Sequence, residues 1–247
     1  MKTRMYMLLA SALAFGGAAA TSRADVVDLS TSTNGTINGA LFERADLRPA
    51  GSGVLQSFVR LSSNDDTEQG YNTSGRPLPF DENNSPVFTH NLQISDLVTR
   101  TVDNTDYYEF LLDANQQASD SLISLDQLQI YTSNTGSQTT SNVASLGTLR
   151  YDMDAAGDNW VVIDSNLARG SGEAGMRLLV PVADFAGATP DQYVYLFSRF
   201  GDHDNNNAGF EEWAVQSGVT AIPLPGAGAM ALAGLVGLGV RRRRRSG

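Results

Sequence analysis

The stretch Tyr193-Val-Tyr-Leu-Phe-Ser-Arg-Phe200 decides the fold class. Successive side chains of an extended chain point to opposite faces, and here one face is apolar and the other mixed, with Tyr193 and Tyr195 together. Val54-Leu-Gln-Ser-Phe-Val-Arg-Leu61 alternates in the same way. Working outward, short runs rich in β-branched and aromatic residues predict strands at Val87–Ile94, Tyr107–Leu112, Leu128–Tyr131, Ser145–Tyr151, Trp160–Ile163, Arg177–Val182 and Phe210–Val215. Between them, Asp65-Asp66, Asn83-Asn84, Ser133 to Asn142, Ala155 to Asn159 and Asp202 to Asn207 read as turns and loops. No segment between the termini keeps a 3.6-residue apolar period for three turns. Some nine antiparallel strands at this spacing predict an all-β antiparallel β-sandwich, with a jelly roll as the expected topology. Asp25 to Gly53 is polar and Gly/Ser/Thr-rich, with an edge strand expected around Val26–Leu29.

Both ends differ from this pattern. Lys2 and Arg4 precede an apolar, Ala-rich run from Met5 to Ala20, and small residues offer cleavage after Ala20 or after Ala24, as in a secretory signal peptide. At the other end, Val219-Thr-Ala-Ile-Pro-Leu-Pro leads into an apolar run from Gly226 to Val240, closed by Arg241, Arg242, Arg243, Arg244 and Arg245. Counted from Val219, the apolar stretch would reach about 33 Å as a helix, enough to span a bilayer core. An arginine block at its C-terminal edge resists translocation and keeps that edge cytoplasmic. The expected division is therefore a signal peptide over 1–24, an exported domain over 25–218 and a sorting segment over 219–247.

That division resembles the PEP-CTERM sorting architecture of Gram-negative bacteria. The residues that carry the resemblance are Pro223-Leu224-Pro225, the apolar run and the arginine cluster, about a tenth of the chain; Leu224 stands where the family has glutamate. The resemblance implies signal peptidase and an exosortase-like membrane enzyme as partners, with cleavage near the Pro-x-Pro motif. It also implies export, at least transient anchoring in the inner membrane, and a final place at the cell surface or outside the cell. Glu68-Gln-Gly-Tyr-Asn-Thr-Ser74, Tyr193 to Gly201 and Gly209-Phe-Glu-Glu-Trp-Ala-Val215 are similar to segments of uncharacterised exported proteins with the same tail, which implies a shared β-rich domain and no particular activity.

All 27 acidic residues lie in the exported part, against nine arginines and no lysine there, a net charge of −18. Such a surface favours solubility and cation binding and excludes nucleic acid as a partner, because it repels phosphates. With no cysteine there are neither disulfides nor thiolate chemistry. About 195 residues suffice for one domain with its own core.

Within Gly201-Asp-His-Asp-Asn-Asn-Asn-Ala-Gly209, the one-apart spacing of Asp202, Asp204 and Asn206 makes them candidate calcium ligands, in a loop that departs from the EF-hand pattern, with Glu211 and Glu212 near enough in sequence to complete a shell. The competing reading is a solvated hairpin loop. Asp152-Met-Asp-Ala-Ala-Gly-Asp158 reads as a turn. Neither His90 nor His203 belongs to a catalytic motif, and there is no H-E-x-x-H, G-x-S-x-G, Walker or dinucleotide signature, so no catalytic residues and no resident cofactor are expected. Tyr71, Phe80, Tyr107, Tyr108, Tyr131, Trp160, Tyr193, Tyr195 and Trp213 are numerous enough to offer a sugar-stacking platform. Two functions follow: an exported, non-catalytic surface or matrix protein linked to extracellular polysaccharide, or a calcium-assisted carbohydrate-binding module.

Overall fold

Residues 193–200 form an interior strand of a two-sheet fold. The computed structural model describes residues 24–47, 55–167, 174–207 and 209–216. Its strands, in chain order, are β1 (Val26–Asp28), β2 (Asn34–Ile37), β3 (Ala40–Leu47), β4 (Leu55–Leu61), β5 (Glu68–Tyr71), β6 (Leu92–Gln93), β7 (Val98–Val102), β8 (Thr105–Ala114), β9 (Leu122–Ser133), β10 (Thr148–Asp152), β11 (Trp160–Asp164), β12 (Ala174–Pro181), β13 (Tyr193–Phe200) and β14 (Glu211–Gln216). One sheet runs β1-β11-β9-β13-β5, with β10 also on β9 and β6 also on β13. The other runs β2-β3-β12-β8-β14-β4, with β7 also on β8. Every pairing is antiparallel except that of β1 with β11.

The chain passes from sheet to sheet as a rolled hairpin. The partners β4 and β14, β5 and β13, β8 and β12, and β9 and β11 nest one within the next. The two sheets face each other across one core, as in a β-sandwich. Phe42, Phe58, Phe110, Leu112, Leu178 and Trp213 come from one sheet, and Leu125, Ile130, Val161, Val194, Leu196 and Phe200 from the other; all are buried. Burying an aliphatic or Phe side chain of this kind contributes roughly 1.5–3 kcal/mol. The indole Nε1 of Trp213 donates to Ser198 Oγ at 3.0 Å, tying the sheets together inside the core.

The mixed face of β13 belongs to a second, smaller cluster. Tyr71, Tyr131, Leu146, Tyr195 and Phe197 are buried there, with Phe80, Val143 and Tyr193 packed against them. The cover is loop structure, which supplies main-chain acceptors: Tyr71 Oη donates to Thr140 O at 2.9 Å and Tyr195 Oη to Thr135 O at 2.5 Å. On the outer face of the other sheet, Arg177 pairs with Glu43 and Glu109, each at 3.0 Å.

Several sequence expectations need correction. Val87–Ile94 is not one strand: Val87 lies in a turn, 69% exposed, only Leu92–Gln93 is extended, and Ile94–Asp96 is a 3-10 turn. The cause is local, since Asn83 Oδ1 caps the Ser85 N–H at 2.9 Å just before Pro86, which has no N–H for a ladder. Ser145 closes the 3-10 turn Val143–Ser145, and β10 begins only at Thr148. Two hairpins absent from the sequence reading are present. β2 and β3 turn through Asn38 (φ 47°) and Gly39 (φ 87°), and β7 and β8 through Asp103 (φ 48°) and Asn104 (φ 63°), the paired left-handed residues of two-residue hairpins.

The connections 62–67, 115–121 and 201–210 meet at one end of the sandwich, where β4, β8 and β13 finish. This end is rich in carboxylates: Asp65, Asp66, Asp120, Asp202 and Asp204. Strand β14 starts there at Glu211 and finishes, five residues later, at Gln216. Its length carries the chain roughly 17 Å away from that end.

Candidate functional site

The acidic end is organised by the loop after β13. Gly201 turns the chain with φ +96°, and a Cβ there would overlap the Asp66 carbonyl oxygen. The loop then folds back onto β9, where Ser124 and Asp126, both buried, lie on the face opposite to the core-facing Leu125. The Asp202 N–H donates to Asp126 Oδ2 at 2.7 Å; those of His203 and Asp204 donate to Ser124 Oγ at 3.0 and 2.9 Å. Ser124 Oγ donates in turn to Asp126 Oδ2 at 2.8 Å. His203 Nδ1 lies 2.7 Å from Asp126 Oδ1, and its ring stacks on Trp160 with centroids 3.8 Å apart and planes 8° from parallel.

The three candidate calcium ligands meet different partners. Asp202 receives a two-point contact from Arg199, Nε to Oδ2 at 2.6 Å and Nη2 to Oδ1 at 2.8 Å, and this guanidinium holds its carboxyl below the usual range. Asp204 contributes its main chain, its carbonyl accepting the Ser124 N–H at 3.2 Å. Asn206 turns inward, 5% exposed, with its N–H on Asp66 O at 2.8 Å and Nδ2 within 3.4 Å of Glu68 Oε2. Of the three side chains, Asp202 is thus held by Arg199 and Asn206 by Glu68. Among the described residues, no three His, Cys, Asp or Glu side chains cluster as a metal site.

What the sequence reading missed is the pair beneath the loop. Glu68 opens β5 and Glu211 opens β14, in different sheets. Both point into the end of the sandwich, beside Phe200 and Trp213 respectively in register and parity, and both are buried. Their carboxyls lie within hydrogen-bonding reach of each other. Burial pushes both above the ordinary glutamate range, and for Glu211 the neighbouring Glu68 adds to the shift. Gln116 serves Glu211 directly, Nε2 to Oε1 at 2.6 Å, and also reaches Asn206 Oδ1 at 3.3 Å.

The second acidic segment is a turn, as expected. Asp152 Oδ1 accepts from the Asp154 N–H, and Asp154 Oδ1 from the Asn159 N–H, both at 2.9 Å. Burial, with Asp152 and Asp158 nearby, pushes the Asp154 carboxyl up to about 6. Most of the aromatic residues considered for a sugar platform are elsewhere engaged. Tyr71, Tyr131, Tyr195 and Trp213 are buried, Phe80 and Tyr193 pack on the second cluster, and Tyr108 meets Phe185 edge-on at 4.9 Å. Trp160, half-buried against the exposed His203, is an aromatic of that set beside the acidic loop.

At the N-terminal side, Ala24 precedes Asp25, whose N–H donates to Asn159 Oδ1 at 2.6 Å. Pro223, Leu224, Pro225 and Arg241 to Arg245 lie outside the described residues, as does the apolar run between them. Among the described residues no helix is long and apolar enough to cross a membrane. Searches against family models, curated proteins and solved structures found no match for this chain.

Proposed function

We propose that the chain is an exported, non-catalytic surface or extracellular-matrix module, delivered by a PEP-CTERM-like tail and associated with extracellular polysaccharide. The observation that carries this reading is the joint pattern of Pro223-Leu224-Pro225, the apolar run Gly226 to Val240 and Arg241 to Arg245, behind an N-terminal signal-like segment. The fold supports it in two ways. The nested strand order favours the jelly-roll topology, a stable scaffold that needs no disulfide. Strand β14 also runs away from the acidic loops, so tethering beyond its end would leave those loops facing outward.

Topology is the direct test. A reporter enzyme inserted between Ala155 and Ala156, exposed residues of a turn, is expected to be exported, while one fused at Gly247 stays cytoplasmic. Both reporters on one side would overturn the anchor reading. Intact-mass measurement of the mature protein is expected to end near Ile222–Pro225; a chain that still carries Arg245 reduces the tail to a plain anchor.

A calcium-assisted carbohydrate-binding role is the second reading, favoured by the Trp160–His203 stack beside the Asp202–Asn206 loop. Polysaccharide pull-down with and without calcium separates the two. Calcium-dependent retention that is lost in Trp160→Ala supports the second.

A further inference from the structure

We propose that Glu68 and Glu211 bind a hard divalent cation, calcium by preference, in the mouth of the sandwich beneath the loop 201–207. The proposal stands apart from the sorting and glycan readings, and concerns a position different from Asp202 and Asp204.

The first observation is an unmet valence. Glu68 is 1% exposed and Glu211 0%, yet Glu68 Oε1 and Glu211 Oε2 receive no donor from the rest of the protein, and the two carboxyls have only each other. The remaining oxygens are served: Glu68 Oε2 by the Ser63 N–H at 3.0 Å, and Glu211 Oε1 by Gln116. Neither carboxylate has an ion-pair partner among the described residues, and the exported part has no lysine to supply one. Two like charges buried side by side repel strongly in a poorly screened interior, and without a cation the pair relieves this by holding a proton between the facing oxygens. A bridging cation turns that repulsion into attraction and supplies both open oxygens at once.

The second observation is a route and a solvent supply. A polar cavity of about 520 Å³, lined by Ser62, Ser63, Asp65, Asp66, Asn206 and Asn207 among others, lies one layer of side chains outside the pair. Ser63 and Asn206 both line it and hydrogen-bond Glu68. Calcium takes six to eight oxygen ligands, so two carboxylates leave places for water from this cavity. The carboxylates around the mouth raise the local concentration of divalent cations.

The test uses the full-length protein, stripped with a chelator and titrated calorimetrically with calcium chloride, with melting temperature read in parallel. One calcium per chain is expected, bound more tightly than about 1 mM, with a rise of several degrees at saturation. Glu68→Gln and Glu211→Gln keep shape and hydrogen-bonding capacity and are each expected to weaken binding about tenfold or more. The Asp202→Asn, Asp204→Asn double variant is expected to bind within about twofold of the parent. The proposal is overturned if the parent binds no calcium up to about 10 mM, a concentration above even weak protein sites. It is also overturned if the double variant, rather than the Gln variants, loses the ion, or if sodium chloride at equal ionic strength gives the same thermal shift.

Discussion

Trp213→Phe would break the one side-chain hydrogen bond described above between the facing sheets inside the core, and its cost can be worked from two parts. The indole is fully buried, and phenylalanine leaves part of its volume empty, which costs roughly 1–2 kcal/mol in lost transfer energy and cavity. The Ser198 hydroxyl, also fully buried, then loses the Nε1 donor at 3.0 Å. A buried polar group left without its partner costs about 1–3 kcal/mol. The expected total is about 2–5 kcal/mol, a drop of several to some 15 °C for a domain of this size. Ser198→Ala strands the indole N–H instead and is expected to cost about 1–3 kcal/mol. In the double variant neither partner is left to strand, so its cost should fall short of the sum by about 1–2 kcal/mol. Urea unfolding followed by circular dichroism gives all three values, provided the slope of the transition is unchanged. Costs that add to within about 0.3 kcal/mol would refute the view that this bond helps to close the sandwich.

Two further expectations follow from the acidic segments. Gly201→Ala meets both a left-handed φ and the Asp66 carbonyl, so a loss above about 2 kcal/mol is expected in chemical denaturation; a change under about 0.5 kcal/mol would mean the loop is not held as described. Asp154, with its carboxyl pushed up to about 6, binds a proton more tightly folded than unfolded, so its contribution to stability falls as pH rises from near 4 through that value. Asp154→Asn keeps the acceptor for the Asn159 N–H and cannot ionise; its melting temperature should exceed the parent's at about pH 7.5 and match it at about pH 3.5, and the reverse order would contradict the sign.

Strands with a core-facing apolar row were legible from the sequence: Tyr193–Phe200 matches residue for residue, and β4, β11 and β14 lie within a residue of their expected bounds. The hairpin strands β2 and β7 were not, because much of their surface faces solvent and their composition is polar; only the Asn38-Gly39 and Asp103-Asn104 pairs announce them, through turn chemistry. Leu122–Gln127 was missed too, although it alternates, and with it Ser124 and Asp126, which hold the acidic loop. The tyrosine face of β13 looked like a potential platform because composition cannot tell a solvent-facing layer from one roofed by loops. Asp202, Asp204 and Asn206 lie in a loop, as their Asn- and Asp-rich surroundings predict, but local spacing says nothing of the partners they meet. The Glu68–Glu211 pair was beyond such reading, since it depends on the register of two strands in opposite sheets.

The position of β14 also bears on how the protein withstands pulling. The strand that precedes the tail is flanked by β4 along its whole length and by β8 over Glu211–Ala214. A tension drawn through a tether at its far end therefore acts along the strand axis, and the hydrogen bonds on both sides resist in shear. An edge strand under the same load would peel away one bond at a time. Under the proposed tethering by the C-terminus, the module is gripped by an interior stave of its own wall.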